Sequence, residues 1–561
     1  MRTRFIPAFA ASMALAAGAP LAAQSYQGAG GSTAADETSG DDAGEAGSGR
    51  GSRRLVIAPY VEVSQIGVWE FAPGNDAVTY TQLAAGVDAT LAGRNNGATL
   101  SLRYERNIGY GDASDSDTLT GVARGYATII PQALTMEAGA LAARTRVDDN
   151  GTNVFNPLSG NDDSTETYSA YIGPNLNMRA GDVQVQGSYR LGYTRVDSPD
   201  VVPGAGLANV EIFDESVTHD AQLRAGTQPG EPLPVGVGVG AGYFQEDVNN
   251  LDQRVVDSYV RGDVTIPVSP TLAVVGGIGY EDVEVSGRDA LRDGAGNPIV
   301  GSDGRFVTDS ASPRRIAFEA DGIIWDVGVV WRPSSRTQLQ ASFGRRYDSD
   351  TFYGSFAWQP DRRSSVGIAV YDRISGFGGR LTNSLAGLPT DFDVIRDPVS
   401  GDIIGCVNTV DGSSCLDGIL GSARSSIFRS RGVTASYSRR VGNMTAAIGA
   451  GYDRRNFFAA PGTVLATANG VIDESYYITG SVGGAISSRG TFTVTTYANW
   501  FESGNAVDGD VFALGSSAAY NHQLTRGLSA RAAVALNYLD SELTAEDFKT
   551  ASALVGLRYD F

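Results

Sequence analysis

From residue 54 onward the chain alternates apolar and polar residues segment after segment. It joins those segments by short and long connections taken in turn, and it never gathers about 18 apolar residues in one run. These three observations predict an all-β fold: a transmembrane antiparallel up-and-down β-barrel of about 22 strands (range roughly 18 to 24), preceded by a signal peptide and a disordered leader. Lipid offers no hydrogen-bond partner to a peptide group, so a chain without long apolar helices can cross it only as a closed sheet.

The elements follow in order. MRTRFIPAFAASMALAAGAPLAAQ has a charged start at Arg2 and Arg4, a short apolar core from Phe5 to Ala17, and small residues after Pro20. This pattern predicts a secretory signal peptide over 1–23, cleaved after Ala23. With no cysteine at that point, a lipid anchor is not expected. Residues 24–53 are Gly, Ser, Ala, Asp and Glu with little to bury, which predicts a disordered acidic periplasmic leader. Its acids, Asp36, Glu37, Asp41, Asp42 and Glu45, read as a solvated linker or as a docking tail. No folded plug domain is expected ahead of the first strand. The barrel itself is expected over 54–561.

Within it, Gly, Pro, Asn or Ser interrupts the alternation at Gly93 to Gly97, Pro131 to Ala133, Arg179 to Asp182, Gln228 to Pro234, Val268 to Pro270, Pro333 to Arg336, Pro360 to Ser364, Gly442 to Asn443, Ser488 to Gly490 and Thr525 to Gly527. Ten short turns, eleven longer loops and both ends on one side give twenty-two strands. In one strand Val183, Val185, Gly187, Tyr189, Leu191 and Tyr193 oppose Gln184, Gln186, Ser188, Arg190, Gly192 and Thr194. A soluble sandwich also alternates, but it has free edges and crossing connections, whereas here each strand is followed by its expected neighbour. Aromatics gather near strand ends, at Tyr60, Tyr126, Tyr193, Tyr243, Trp331, Tyr347, Trp358, Tyr371 and Tyr520, where a bilayer places its interfaces.

The formal charge of −20 becomes −22 once Arg2 and Arg4 leave with the signal, which argues against a nucleic-acid partner. A mean hydropathy of −0.12 decides nothing, because a barrel averages an oily outer face with a wet inner one. The inner wall carries both signs: Arg103, Arg190, Arg332, Arg346, Arg531 and Arg558 with Glu105, Asp326 and Asp560. Most of these should pair across strands and stiffen the wall. The longest connection, Ile374 to Phe428, holds a helix-like piece at Leu381 to Leu388, the two cysteines Cys406 and Cys415, and an amphipathic piece from Leu416 to Ser425. A disulfide Cys406–Cys415 would close a short loop and add about 2 to 3 kcal/mol. That connection either folds inward and constricts the lumen or caps the barrel from outside. A second long loop, Ser286 to Arg315, has Asp293, Asn297, Asp303 and Asp309 among glycines but lacks calcium-loop spacing, which predicts a solvated hairpin.

Two histidines, His219 and His522, fall at opposite ends, and only His219 with Asp220 could form half of a hydrolytic site. No phosphate loop, metal-ligand cluster or dinucleotide fingerprint occurs. Neither catalytic residues nor a metal or cofactor are therefore expected.

The final strand, ASALVGLRYDF, places Leu557, Tyr559 and Phe561 on one face and ends on the aromatic. In this it resembles bacterial outer-membrane β-barrels. That resemblance implies an outer-membrane location, lipid around the wall, and recognition of Leu557, Tyr559 and Phe561 by the barrel-assembly machinery. The segment Trp331 to Ser375, with its W-x-P-S-x-R-T turn and F-G-R-R-Y strand, resembles hairpins of large outer-membrane proteins linked to exosortase and exopolysaccharide systems. It implies export of a polysaccharide, over less than a tenth of the chain. The chain also resembles alphaproteobacterial exported proteins labelled as preprotein-translocase accessory subunits, although such a subunit is small and has one apolar helix, absent here. Two functions are expected to compete: a channel or porin-like passage for solutes or exported polymer, and a structural or surface-binding barrel whose outer loops hold an external partner.

Overall fold

A computed structural model describes residues 54–561 apart from 73, 112, 148–152, 155–163, 198–212, 231, 391, 410–411, 416–422, 506–508 and 543–546. The expected signal peptide and leader lie outside these residues, as does most of the amphipathic piece expected from Leu416 to Ser425.

Twenty-two long antiparallel strands form one ring, from Arg54–Ala72 to Phe548–Asp560, each paired with its neighbours in sequence. The first strand pairs with the second from Arg54↔Ala92 to Trp69↔Ala77, and with the last from Tyr60↔Asp560 to Ala72↔Lys549. The ring is therefore closed, and the sandwich alternative falls because the main sheet has no free border. A two-residue piece, Asn153–Val154, joins the strand Leu134–Val147 as an appendage. All ten expected short turns lie at one end, hereafter the turn end, together with Arg54 and Phe561. The long connections lie at the opposite, loop end. The shortest there is two residues: Tyr347 and Asp348 alone join Thr337–Arg346 to Ser349–Asp361, both with positive φ (54° and 53°).

Alternation sets the two faces. In the last strand Val555, Leu557 and Tyr559 point out, exposed by 69, 50 and 46 %, while Thr550, Ser552 and Leu554 are buried inside. In Asn96–Tyr110, Thr99, Ser101, Arg103 and Glu105 are buried and Tyr104 is exposed. An outer belt of exposed Val, Ile, Leu, Trp and Tyr around a polar interior is the reverse of a soluble sheet. Outward Tyr193, Trp331, Trp358 and Tyr520 stand near strand ends as expected, whereas Tyr243, also outward, lies in the middle of Gly236–Val248. Tyr60, Tyr347 and Tyr371 do not belong to that belt. Tyr60 shares the inward parity of Glu62 and lies over Arg558 at 3.7 Å, Tyr347 lies under Arg346, and the Tyr371 hydroxyl donates inward to Asp453. The rings of Tyr60 and Tyr347 stack on wall guanidiniums and that of Tyr371 lies beneath Arg380, partners that lipid could not supply.

The connection 288–314 forms the expected hairpin, with Ala290 opposite Thr308 and Val300 opposite Phe306.

Candidate functional site

The lumen is the site, and the described residues of the connection 376–427 occupy it. Its first element is the helix Phe377–Gly387, which overlaps the expected Leu381 to Leu388 but starts a turn earlier. The reason lies in the wall. The helix has Gly376 at its N-cap and no capping side chain of its own. Glu246, fully buried on the strand Gly236–Val248, accepts the backbone N–H of Gly376 at 2.7 Å and of Gly379 at 2.9 Å. A barrel carboxylate thus satisfies the free donors and the positive end of the loop's helix. Ser216 donates to the same carboxylate at 3.0 Å. Gly379 allows this approach, since a methyl there would strike Glu246 and Phe244.

The helix buries Phe377, Leu381 and Leu385, followed by Leu388 and Phe392, against the inward side chains Leu141, Ala143, Tyr171, Val196 and Phe244. Burying side chains of this size stabilises docking by about 1.5 to 3 kcal/mol each. From the helix, Arg380 forms an ion pair with Asp453 on the strand Met444–Phe457.

Beyond the helix the chain crosses the interior. The hydroxyl of Thr99 donates to the Thr390 carbonyl at 2.9 Å, and Arg396 donates to the hydroxyls of Thr120 (2.6 Å) and Ser101 (3.2 Å). Asp402 takes a two-pronged bond from Arg144 at 3.1 and 2.9 Å. Val399, wholly buried, packs with Ile66, Ala519, Ala533, Ala535 and Leu554 on the strands that close the ring. Gly401 lies directly on the Arg103–Glu105 pair with φ +75°, so both its conformation and the space above it exclude a side chain. A three-stranded sheet of Asp393–Arg396, Ile403–Thr409 and Gly412–Cys415 follows, with Cys406 and Cys415 directly opposite in its register. The side chains of the expected disulfide lie outside the described residues. The returning limb is held at the mouth, where Phe213 N–H donates to the Ala423 carbonyl at 2.7 Å and Gln253 to the Ser425 carbonyl at 3.0 Å.

The wall charges expected from alternation, Arg332 apart, occupy the lumen, and several of their partners lie outside the expected set. Glu62 receives Arg103 (2.5 Å), Arg558 (3.2 Å) and Arg531 (3.3 Å), and Arg103 also meets Glu105. Arg558 reaches Asp560 at 2.8 Å. Arg346 is held between Asp257 (2.5 Å) and Glu281 (2.8 Å), and Asp326 binds Arg261 at 2.6 Å. Arg190 shares Asp220 with Arg373, at 3.3 and 2.9 Å. Arg332 departs from the expectation: it keeps the inward parity but lies exposed at the turn end, two residues before its strand finishes. Glu62, Asp257 and Glu281 were missed, and Asp220 was expected as half of a hydrolytic site rather than as a wall acceptor. Each stands at an inward position, so parity could have found them, but naming them as partners needs the register between strands. Between Asp220, Phe244, Asp257, Tyr259, Arg346 and Arg373 a cavity of about 20 Å³ remains, room for one water.

The half-site of His219 and Asp220 is taken apart by the wall itself. Asp220 points inward to the arginines, while His219 points outward, its Nδ1 2.8 Å from the Tyr189 hydroxyl. Consecutive residues of a strand face opposite sides, so the two cannot act together. Among the described residues no group of three or more His, Cys, Asp or Glu side chains could hold a metal ion.

No protein-family model and no curated protein matches this chain. Among solved structures it is similar to the FrpB iron transporter of Neisseria meningitidis, with 11 % identity, 89 % of this chain and 82 % of that one covered, and a TM-score of 0.42. It is likewise similar to the ferric-catecholate import receptor Fiu of E. coli K12 (9 % identity, 90 and 81 % covered, TM-score 0.41). A third is the siderophore receptor PiuA of Acinetobacter baumannii (9 %, 90 and 82 %, TM-score 0.38). At such identities and scores these likenesses carry nothing about cargo to this chain.

Proposed function

We propose that this chain is an integral protein of the bacterial outer membrane, a porin-like passage for polar solutes or exported polymer that the connection 376–427 holds closed. The belt of exposed apolar side chains supports the membrane setting, since such a belt is costly in water and stabilising in lipid. A ring of 22 strands is wide enough for an aqueous lumen unless something fills it. The observation that carries the reading is the docking of 376–427: Glu246, Asp402 with Arg144, and Val399 fix one covalently attached segment to several sides of an otherwise polar wall. Paired wall charges favour neutral or mixed-charge cargo over a purely anionic one, because a stripe of unneutralised arginine would be needed to select anions.

The test is sugar permeation in liposomes. A chain in which Leu381 to Ser425 is replaced by a short Gly-Ser linker should admit neutral oligosaccharides far faster than the complete chain. Equal rates would sink the proposal and favour a structural barrel. That second reading draws on the ordered hairpin over 288–314, which at the loop end leaves Leu291, Val300 and Val307 exposed as a surface for an external partner.

A further inference from the structure

The rim at the turn end carries a sector of arginines that the barrel leaves without counter-charge. Connections 335–336, 362–363, 442–443, 486–489 and 524–527 follow one another around the ring. On or beside them stand Arg336, Arg362, Arg363, Arg440, Arg489 and Arg526, all exposed and none in an ion pair among the described residues. One carboxylate, Asp361, lies on these turns; it accepts the Arg363 N–H at 2.7 Å and faces Arg439. In a chain with 63 acidic and 43 basic side chains, so many unpaired arginines in one sector stand out, because the named arginines inside the lumen do have partners. The loop end, by contrast, presents Glu70, Asp76, Asp115, Asp117, Asp348 and Asp510.

We propose that the acidic leader segment of this same chain, Asp36 to Glu45, docks on this arginine sector. Three facts commit the occupant. The leader enters the barrel at Arg54, at this end and not the other. Between Arg54 and the turn 524–527 lie only the last two strands, and Arg54 stands six residues beyond Tyr60, the partner of Asp560, a separation of roughly 20 to 25 Å in all. The 9 residues from Glu45 to Arg54 reach up to about 30 Å and the 18 from Asp36 about 60 Å, enough to follow the sector round. The segment carries Asp36, Glu37, Asp41, Asp42 and Glu45 with no basic residue between them. Tethering holds these carboxylates at an effective concentration of about millimolar beside the guanidiniums, which free anions in dilute solution do not match. The contact is electrostatic and exposed, so salt weakens it.

Limited digestion with a glutamate-specific protease tests this on the full chain after signal removal. At low salt, cutting after Glu37 and Glu45 should be several-fold slower in the native protein than in the variant Arg363→Gln, Arg489→Gln, Arg526→Gln. Near 1 M salt, where the screening length is about 3 Å, the two should converge. Resistance of the barrel to unfolding in SDS confirms that the variant is assembled, since the three substitutions lie on exposed turns. Equal cutting at low salt overturns the proposal. Equal cutting accompanied by weaker binding of the variant to phosphatidylglycerol vesicles also overturns it, and assigns the arginines to lipid headgroups.

Discussion

At the scale of single residues, Glu62 decides more than any other wall side chain. It is buried, and it is the shared acceptor of Arg103, Arg531 and Arg558, which come from three different strands. Removing one member of a buried ionic cluster leaves uncompensated charge, at a cost of about 3 to 5 kcal/mol. Glu62→Gln should therefore lower the unfolding midpoint of the barrel in denaturant. Glu70→Gln, at an outer strand end, should leave it in place. Equal effects would mean that the cluster does not brace the closure. Tyr347 makes a different point: with Asp348 it takes a left-handed conformation that tyrosine disfavours. The surroundings over-determine it, because its N–H donates to Glu281 at 2.5 Å, its hydroxyl to Asp257 at 3.0 Å, and its ring lies under Arg346 and Arg429.

At the scale of elements, the helix Phe377–Gly387 depends on a cap that belongs to another strand. Glu246→Ala strips that cap and leaves two buried N–H groups unsatisfied, each worth about 1 to 3 kcal/mol. The amides of Leu381 and Leu385 should then exchange with solvent faster, while barrel-strand amides keep their protection. Unchanged exchange in the helix would contradict the docking role. The loops at the mouth respond to acid instead. Asp289, in the connection 288–314, accepts the N–H of Ala290 and, from the connection 458–471, that of Val464, both at 2.9 Å. Burial pushes its carboxyl up, but those N–H groups and Arg292 outweigh burial and hold it below the usual carboxylate range. A carboxyl lowered on folding contributes its stabilisation above its unfolded pKa, about 4, and loses it as pH falls through the folded value. The Val464 amide should stay protected at pH 6 and lose protection in acid below about pH 4, and Asp289→Ala should lose it already at pH 6.

At the scale of the whole molecule, the fold was largely legible in the sequence, because period-two alternation and turn residues are local signals. All ten short turns lie where Gly, Pro, Asn and Ser had marked them, and the face bearing Leu557, Tyr559 and Phe561 is the outward one. The interior was legible only in part. Parity places Arg103, Arg346 and Arg531 inward, but it cannot say that Arg103 meets Glu62 across 41 residues or that Arg144 meets Asp402 across 258. Parity also separates His219 from Asp220, a consequence that proximity in sequence concealed. Whether the connection 376–427 enters the lumen depends on Glu246, Phe244 and Arg144, none of which lies near it in the chain.

That entry is the claim on which everything said about closure depends, and Val399, wholly buried against Ile66 and Leu554, is its sharpest reporter. The measurement is the labelling of Val399→Cys in membranes by a maleimide that cannot cross lipid, read on the residue-399 peptide by mass spectrometry. The thiol should stay unlabelled in the assembled barrel and react fully once the protein is unfolded in urea. Rapid labelling of the assembled protein would place the segment outside the lumen and contradict the account.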